Sequence, residues 1–98
     1  MADYLAPINP KHSAVSIGTN STSVIAANKA RRYLLIANDG SVTVYIALGV
    51  AAVTNQGIPV MPNGGAYEMS QDKGNLFLGA VNGTTPTGVA AVLVTEGV

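Results

Sequence analysis

The residues that could carry chemistry are few and lie far apart in the chain. There is one histidine, His12, and no cysteine, so a Ser/His/Asp triad and a Cys/His zinc site both lack partners. The nearest two acids, Glu68 and Asp72, could pair as general acid and base, although most such pairs are only solvated. Calcium bound by Asp39 and Asp72 stays an open alternative, but the spacing is not that of an EF-hand. We therefore expect no enzyme activity, no cofactor and no metal site.

The chain has a single basic cluster, Lys29-Ala30-Arg31-Arg32, placed just before its most apolar strand. A nucleic-acid site would need more cations and more stacking aromatics than the four tyrosines and one phenylalanine present. Arginine binds carboxylates in a planar, bidentate way, so we expect Arg31 and Arg32 to anchor the protein to a carboxylate of a partner. The alternative is that both side chains are solvated where the strand begins.

The composition favours a surface that other protein covers. Only 10% of the residues are charged, whereas soluble domains carry about 25%. Five basic residues balance five acidic ones, so no net charge attracts the chain to nucleic acid or to anionic lipid. A domain of 98 residues without disulfides is marginally stable by itself, and oligomerisation is the supplement we expect.

Apolar residues alternate with a period of two in short runs, which predicts an all-β chain. Two turns, Asn38–Ser41 and Pro62–Gly65, have the composition of tight hairpins, and residues 82–87 are expected to form an exposed loop. The pattern indicates a small antiparallel β-sandwich, jelly-roll-like, of seven or eight short strands, with a small barrel as the alternative. The predicted strands are Ser13–Ile17, Thr22–Ala27, Arg32–Asn38, Val42–Leu48, Gly57–Met61, Ala66–Ser70, Asn75–Val81 and Gly88–Thr95.

Several of these strands are apolar on both faces. Val42–Leu48 and Arg32–Asn38 lack the polar alternation that a sheet shows when water covers one of its faces. We interpret the outward apolar residues as surface buried by other subunits. The alternative is that exposed alanine and tyrosine side chains are ordinary in a soluble protein.

Residues 1–12 differ from the predicted domain, residues 13–98. Pro7 and Pro10 prevent a helix, so we expect an extended N-terminal arm. Its apolar residues Tyr4, Leu5 and Ile8 would dock on a neighbour; a frayed chain end is the alternative. The N-terminus does not have the pattern of a signal peptide, and the longest apolar run is about half of a membrane helix, so neither secretion nor membrane insertion is expected.

Four segments and the end of the chain share one pattern of strand and turn residues. The segments are ANKARRYLLIANDG at 27–40, VYIALG at 44–49, GIPVMPNGGAYEM at 57–69 and LFLGAV at 76–81, and the ending is rich in valine before Glu96 and Gly97. This pattern resembles that of small virion proteins of tailed bacteriophages, over about three quarters of the chain from about Ser23 onward.

The resemblance implies a β-sandwich accessory protein of the virion without catalytic residues. The leading hypothesis is a capsid decoration (cement) protein, made in the host cytoplasm and located on the capsid exterior. It would be a homo-oligomer, with a trimer favoured, bound to the major capsid protein or another virion protein. The competing hypothesis is a tail or head-fibre module that binds a host glycan or a virion protein through Tyr67 and the loops at residues 50–56 and 82–88.

Overall fold

The computed structural model describes residues 9–98, which form eight β-strands and no helix. Seven of the eight strands overlap a predicted strand closely, because short alternating runs rich in β-branched residues are bounded by turn residues. The strands are β1 (Lys11–Ile17), β2 (Thr22–Ile25), β3 (Tyr33–Asn38), β4 (Val44–Leu48), β5 (Ile58–Val60), β6 (Gly65–Ser70), β7 (Val81–Thr84) and β8 (Ala90–Gly97).

The strands form two antiparallel sheets of four. Sheet A has the order β1-β8-β3-β6, and sheet B has the order β2-β7-β4-β5. Of the seven connections between consecutive strands, only β4 to β5 stays within one sheet. This order is that of an eight-stranded jelly roll, so the predicted fold class is confirmed.

The core lies between the sheets and is almost entirely aliphatic. Its members occupy alternate positions along the strands, as Leu34 and Ile36 do on β3. Burying such a side chain contributes about 1.5–3 kcal/mol, so this alternation decides which face of each strand turns inward. The core residues are Ile17, Val24, Leu34, Ile36, Val44, Ile46, Val60, Met69, Val81, Ala90, Val92 and Val94.

The two predicted hairpins are wrong as pairings, because both turns carry the chain from one sheet to the other. Neither Asp39 nor Gly40 has the positive φ that a type I′ hairpin needs, whereas Asn63 and Gly64 have φ of 62° and 104°. The two corners bind one another instead. The amide of Asn63 donates to the Gly40 carbonyl at 2.8 Å, and that of Gly64 donates to the Asn38 carbonyl at 2.7 Å.

The predicted strand Asn75–Val81 is also wrong, and the predicted loop after it contains β7. Residues 76–80 form a short apolar run, but carbonyl groups of this run accept hydrogen bonds from Arg31 and two loop amides rather than from a neighbouring strand. Gly83 suggests a turn, yet here it is a strand residue. A Cβ at Gly83 would lie 3.1 Å from Val24 and 3.3 Å from Val44, so the missing side chain lets β7 approach the core.

Strand β1 begins two residues before the predicted start of the domain. Lys11 and His12 pair with Glu96 and Thr95 of β8, and therefore belong to sheet A. The polar side chains of this end of β1 are tolerated because β1 is an edge strand.

Candidate functional site

The outer face of sheet A is built from small apolar side chains. One row crosses all four strands in the register Ala14, Leu93, Ala37, Ala66. Ala91 on β8 and Leu35 on β3 lie in the two neighbouring rows, one on either side, and Leu93 is 44% exposed. We call these six residues (Ala14, Leu35, Ala37, Ala66, Ala91 and Leu93) the alanine face.

The neighbouring row of the same face ends in a polar residue on each edge strand. His12 lies on β1, with Nδ1 at 2.8 Å from the Thr95 hydroxyl oxygen. Glu68 lies on β6, where one carboxylate oxygen accepts a hydrogen bond of 2.6 Å from the Tyr33 hydroxyl. The other carboxylate oxygen is 3.2 Å from Lys73 Nζ. The two edges of the face therefore carry an imidazole and a carboxylate.

The hydrogen bond between Tyr33 and Glu68 changes the acidity of both groups. It is the main cause that lowers the pKa of Glu68, and the contact with Lys73 lowers that pKa further. The same hydrogen bond, with a smaller contribution from burial, raises the pKa of Tyr33 to about 12. The pair is therefore most stable between these limits, as a neutral phenol bound to a carboxylate.

We expect Glu68 to make stability depend on pH in acid. Its pKa is lower in the folded chain than in the unfolded one, so its contribution is present above about pH 4.3 and is lost as the pH falls through the folded pKa. The free energy of unfolding, measured by urea titration between about pH 6 and pH 3, should fall more steeply for the wild type than for Glu68→Gln. Tyr33→Phe, which keeps the carboxylate, should show an intermediate slope. Parallel curves for the wild type and Glu68→Gln would contradict this role.

The outer face of sheet B, by contrast, is covered by the chain itself. Residues 49–57, which join β4 to β5, lie across it, and we call this segment the strap. The side-chain amide of Asn82 on β7 donates to the Val50 carbonyl at 2.7 Å, and the backbone amide of Ala52 donates to the Ser21 hydroxyl at 2.8 Å. No segment that the structure describes covers the alanine face in this way. Within residues 9–98, the outer face of sheet B is therefore covered by the chain itself, whereas the outer face of sheet A is not.

A pocket of about 310 Å³ opens beside the strap. Its rim includes Val50 and Val53, which are 65% and 50% exposed. Gln56 contributes the one polar side chain of the lining, and no aromatic side chain is present, so the pocket suits an aliphatic group better than a sugar. The lining residues are Ile46, Ala47, Leu48, Val50, Ala51, Val53, Gln56, Gly57 and Ile58.

Arg31 is buried, with 1% of its surface exposed, and its guanidinium group donates hydrogen bonds to its own chain. Its Nε donates to the Glu96 carboxylate at 2.8 Å, and Nη2 donates to the Ala26 carbonyl at 2.7 Å. Nη1 donates to the carbonyls of Phe77 and Gly79, at 2.7 and 3.1 Å. This corrects the prediction that Arg31 binds a carboxylate of a partner, because the carboxylate it binds belongs to its own chain.

The other predicted contact residues have different positions. Arg32 is half-buried at the start of sheet A, with its backbone amide bonded to the Gly97 carbonyl at 2.8 Å. It is the member of the arginine pair that reaches solvent, so its role as an anchor stays a prediction. Tyr4, Leu5 and Ile8 lie outside the described residues, and their predicted docking on a neighbour also stays a prediction.

Tyr67, which was predicted to take part in glycan binding, is half-buried and packs against the core, as Phe77 does. Tyr45 on sheet B is half-buried, and its hydroxyl donates to the Asn55 side chain in the strap at 2.9 Å. The alanine face is not among the predicted contact residues. Its signal in the sequence is the outward apolar residues of the predicted strand 32–38, whereas each of the four strands contributes only one outward alanine.

Asp39 and Asp72, the suggested calcium ligands, are both exposed. Among residues 9–98, no three His, Asp or Glu side chains gather where a metal ion could be held. The same residues contain no helix long and apolar enough to cross a bilayer.

Comparison with known proteins yields no relative. No protein-family model matches the chain, and neither a curated protein nor a solved structure matches it. The function has to be argued from the surfaces described above.

Proposed function

We propose that this protein is a capsid decoration (cement) protein of a tailed bacteriophage, which stabilises the shell by bridging neighbouring capsid subunits. The observation that carries this proposal is the alanine face. On the four strands of sheet A, Glu68 is the single outward carboxylate and no lysine or arginine points outward; Asp39 follows β3 beside Ala91, and Lys73 reaches Glu68 from the turn after β6. Such a surface loses little hydration when protein covers it, because burial of unpaired charge is the main cost of covering a face.

The strap on the outer face of sheet B supports the same proposal. The chain uses the nine residues of the strap to cover that face, and it anchors them with side-chain hydrogen bonds from Asn82 and Tyr45. A protein that acted alone would gain from covering its second apolar face in the same way. We therefore infer that sheet A is covered by protein when this chain is at work.

The jelly-roll fold is compatible with this role, but it is equally compatible with other functions. Jelly rolls occur in viral capsid proteins, and also in lectins and cupins. A fold hosts many functions, so the choice has to come from the surface and from the sequence. The resemblance of residues 27–81 to phage virion accessory proteins favours the virion.

Attachment to the shell is assigned to the N-terminal segment and to Arg32. Strand β1 is an edge strand that begins at Lys11, so the residues before it join the domain at the margin of sheet A. Tyr4, Leu5 and Ile8 are the apolar contacts proposed for the major capsid protein. An oligomer carries one such segment for each copy, and several weak contacts together bind far more tightly than one.

The experiment uses phage particles made without this protein, to which the purified chain is added back. We expect it to bind the capsid exterior in a fixed copy number and to raise the melting temperature of the shell. Deletion of residues 2–8, which leaves β1 intact, should weaken binding by roughly tenfold or more because the bridging contacts are lost. Far-UV circular dichroism of the variant would show that the domain is still folded.

Arg32→Ala tests the polar anchor, and Lys29→Ala is its matched control, because Lys29 is an exposed cation of the same cluster. We expect the first to weaken shell binding by several-fold and the second to have little effect. Absence of the protein from capsids would overturn the proposal. So would a location on the tail together with binding to host glycans, which is the outcome expected of a recognition module.

A further inference from the structure

We infer that the alanine face binds the alanine face of a second copy, about a twofold axis that runs parallel to the strands and midway between β8 and β3. This inference deepens the proposed function by naming the partner of that surface. It is tested on the purified chain alone, so that it can fail independently of any role on a capsid.

Sheet A has four strands in the order β1-β8-β3-β6, so an axis between β8 and β3 passes through its middle. Rotation about it places β1 over the partner's β6 and β8 over the partner's β3, while each row of side chains stays in its own row. Sheets that pack face to face in this way keep their strands roughly aligned, which is the commoner geometry of β-sheet packing.

Large side chains then face small ones. In the row that contains Ala14, Leu93, Ala37 and Ala66, which we call the central row, Leu93 and Ala37 are directly opposite on adjacent strands. The rotation therefore places Leu93 of each copy over Ala37 of the other. In this row the face supplies both the projecting side chain, Leu93, and the space above Ala37 that receives it, which a twofold interface requires.

The polar groups at the edges of the face are complementary as well. His12 and Glu68 lie in one row on opposite edge strands, linked through Thr95 and Leu35. The twofold axis places His12 of each copy beside Glu68 of the other, twice in the interface. Both groups lie at the rim, where such pairs fix the register of a complex more than its strength.

The alternative axis, which lies in the interface but runs across the strands, lacks this complementarity. It would place β1 over the partner's β1 and bring His12 beside Ala14, and Glu68 beside Ala66. Glu68 and His12 would then each face an alanine, without a polar group from the second copy. The axis parallel to the strands pairs both groups, and it leaves Asp39, which follows β3 beside Ala91, at the margin of the interface.

The size of the face predicts a weak pair. Four strands about 4.8 Å apart, each with three outward residues about 6.8 Å apart, give roughly 400 Å² for each copy. Two copies would bury roughly 800 Å², below the 1,200–2,000 Å² of a stable interface, so free chains should pair only at high concentration. Copies held side by side on a shell have an effective concentration near the millimolar range, where the pair forms.

The test is sedimentation equilibrium of the full chain from about 10 µM to 1 mM. We expect the average mass to rise from 9.9 kDa towards twice that value and no further. Ala37→Glu places a carboxylate in the central row and should reduce association at least tenfold. Ala30→Glu, the same change at an exposed turn residue, is the control and should leave the curve unchanged.

A mixing experiment tests the axis itself. In a pair of identical chains, His12→Glu places two carboxylates opposite one another, and Glu68→Lys removes the carboxylate that faces His12, so each variant alone should associate more weakly than the wild type. A mixture of the two forms a hetero-pair in which one rim contact joins the introduced carboxylate to the introduced ammonium and the other is that of the wild type. We expect the mixture to associate several-fold more tightly than either variant.

Three results would overturn the inference: a chain that stays monomeric at 1 mM, a mass that converges on a trimer, or a mixture no stronger than its components. A chain that pairs in solution but never binds a capsid would remove the proposed function and leave this surface assigned. A monomer that binds capsids would do the reverse.

Discussion

Replacement of Arg31 by alanine is expected to lower the free energy of unfolding by about 3–5 kcal/mol, the usual cost of removing one member of a buried ion pair. The guanidinium joins Glu96 near the end of β8 to carbonyl groups of Ala26, Phe77 and Gly79. Without it, the Glu96 carboxylate loses its cation, and three carbonyl groups lose donors in a partly buried position.

The measurement is urea unfolding followed by circular dichroism, with Arg32→Ala as the matched control. Arg32 is adjacent in sequence but half-buried, so its truncation should cost less than about 1 kcal/mol. Glu96→Gln should cost about 2 kcal/mol less than Arg31→Ala, because the guanidinium keeps its carbonyl acceptors. If both arginine variants unfolded at the same urea concentration, the proposed role of Arg31 would be wrong.

A whole domain is stabilised by only about 5–15 kcal/mol, so Arg31→Ala can bring a chain of this size close to unfolding. Arg31→Lys provides a second reading of the same site. Lysine keeps the charge but lacks the planar fork, and it cannot reach Glu96 and three carbonyl groups together. We therefore expect a stability between those of the wild type and Arg31→Ala.

Asn38→Ala is expected to have the second-largest effect, a loss of about 2–4 kcal/mol. Asn38 is fully buried at the end of β3, and its side-chain amide donates to the carbonyls of Val42 and Val60, at 2.7 and 3.0 Å. Its side-chain oxygen accepts from the amide of Gly40 at 2.9 Å. Val60 belongs to sheet B, so this side chain ties the two sheets together at the corner.

The same unfolding measurement applies, and Asn20→Ala is the control because Asn20 is exposed in the turn after β1. The control should change stability by less than about 0.5 kcal/mol. Asn38→Asp keeps the size and the acceptor but removes two donors, and it should be nearly as destabilising as alanine. An Asn38→Ala variant as stable as the control would show that water replaces these hydrogen bonds.

Strand positions could be predicted from the sequence because they depend on local features. Apolar runs such as 33–38 and 90–97, bounded by turn residues, predict strands without knowledge of the neighbours, although not which of their two apolar faces turns inward. The failure at residues 75–84 has a definite cause. Residues 76–80 form an apolar run like those of the strands, but Arg31 takes carbonyl groups of this segment, and the glycine of β7 resembles a turn.

Strand pairing could not be predicted, because it depends on which strands meet across the sandwich. Asn38–Ser41 has the composition of a hairpin turn, but the inward residues of β3 and β4 are buried best when the two strands lie in opposite sheets. The site was missed for the same reason. Its alanines are 77 positions apart in sequence, at Ala14 and Ala91, and only the register of β1, β3, β6 and β8 makes them one surface.

The amino-acid sequence by itself determined that this protein is a small, nearly uncharged, all-β domain, since composition and alternation act residue by residue. Only the tertiary structure decided that Arg31 is internal, that the strap covers sheet B and that, among residues 9–98, the outward alanine and leucine residues of sheet A form one apolar face. Those properties arise from contacts between residues distant in the chain. The physical reason is that the burial and hydrogen bonds of a side chain depend on the groups that pack around it. Its residue type and its neighbours in sequence do not specify those groups.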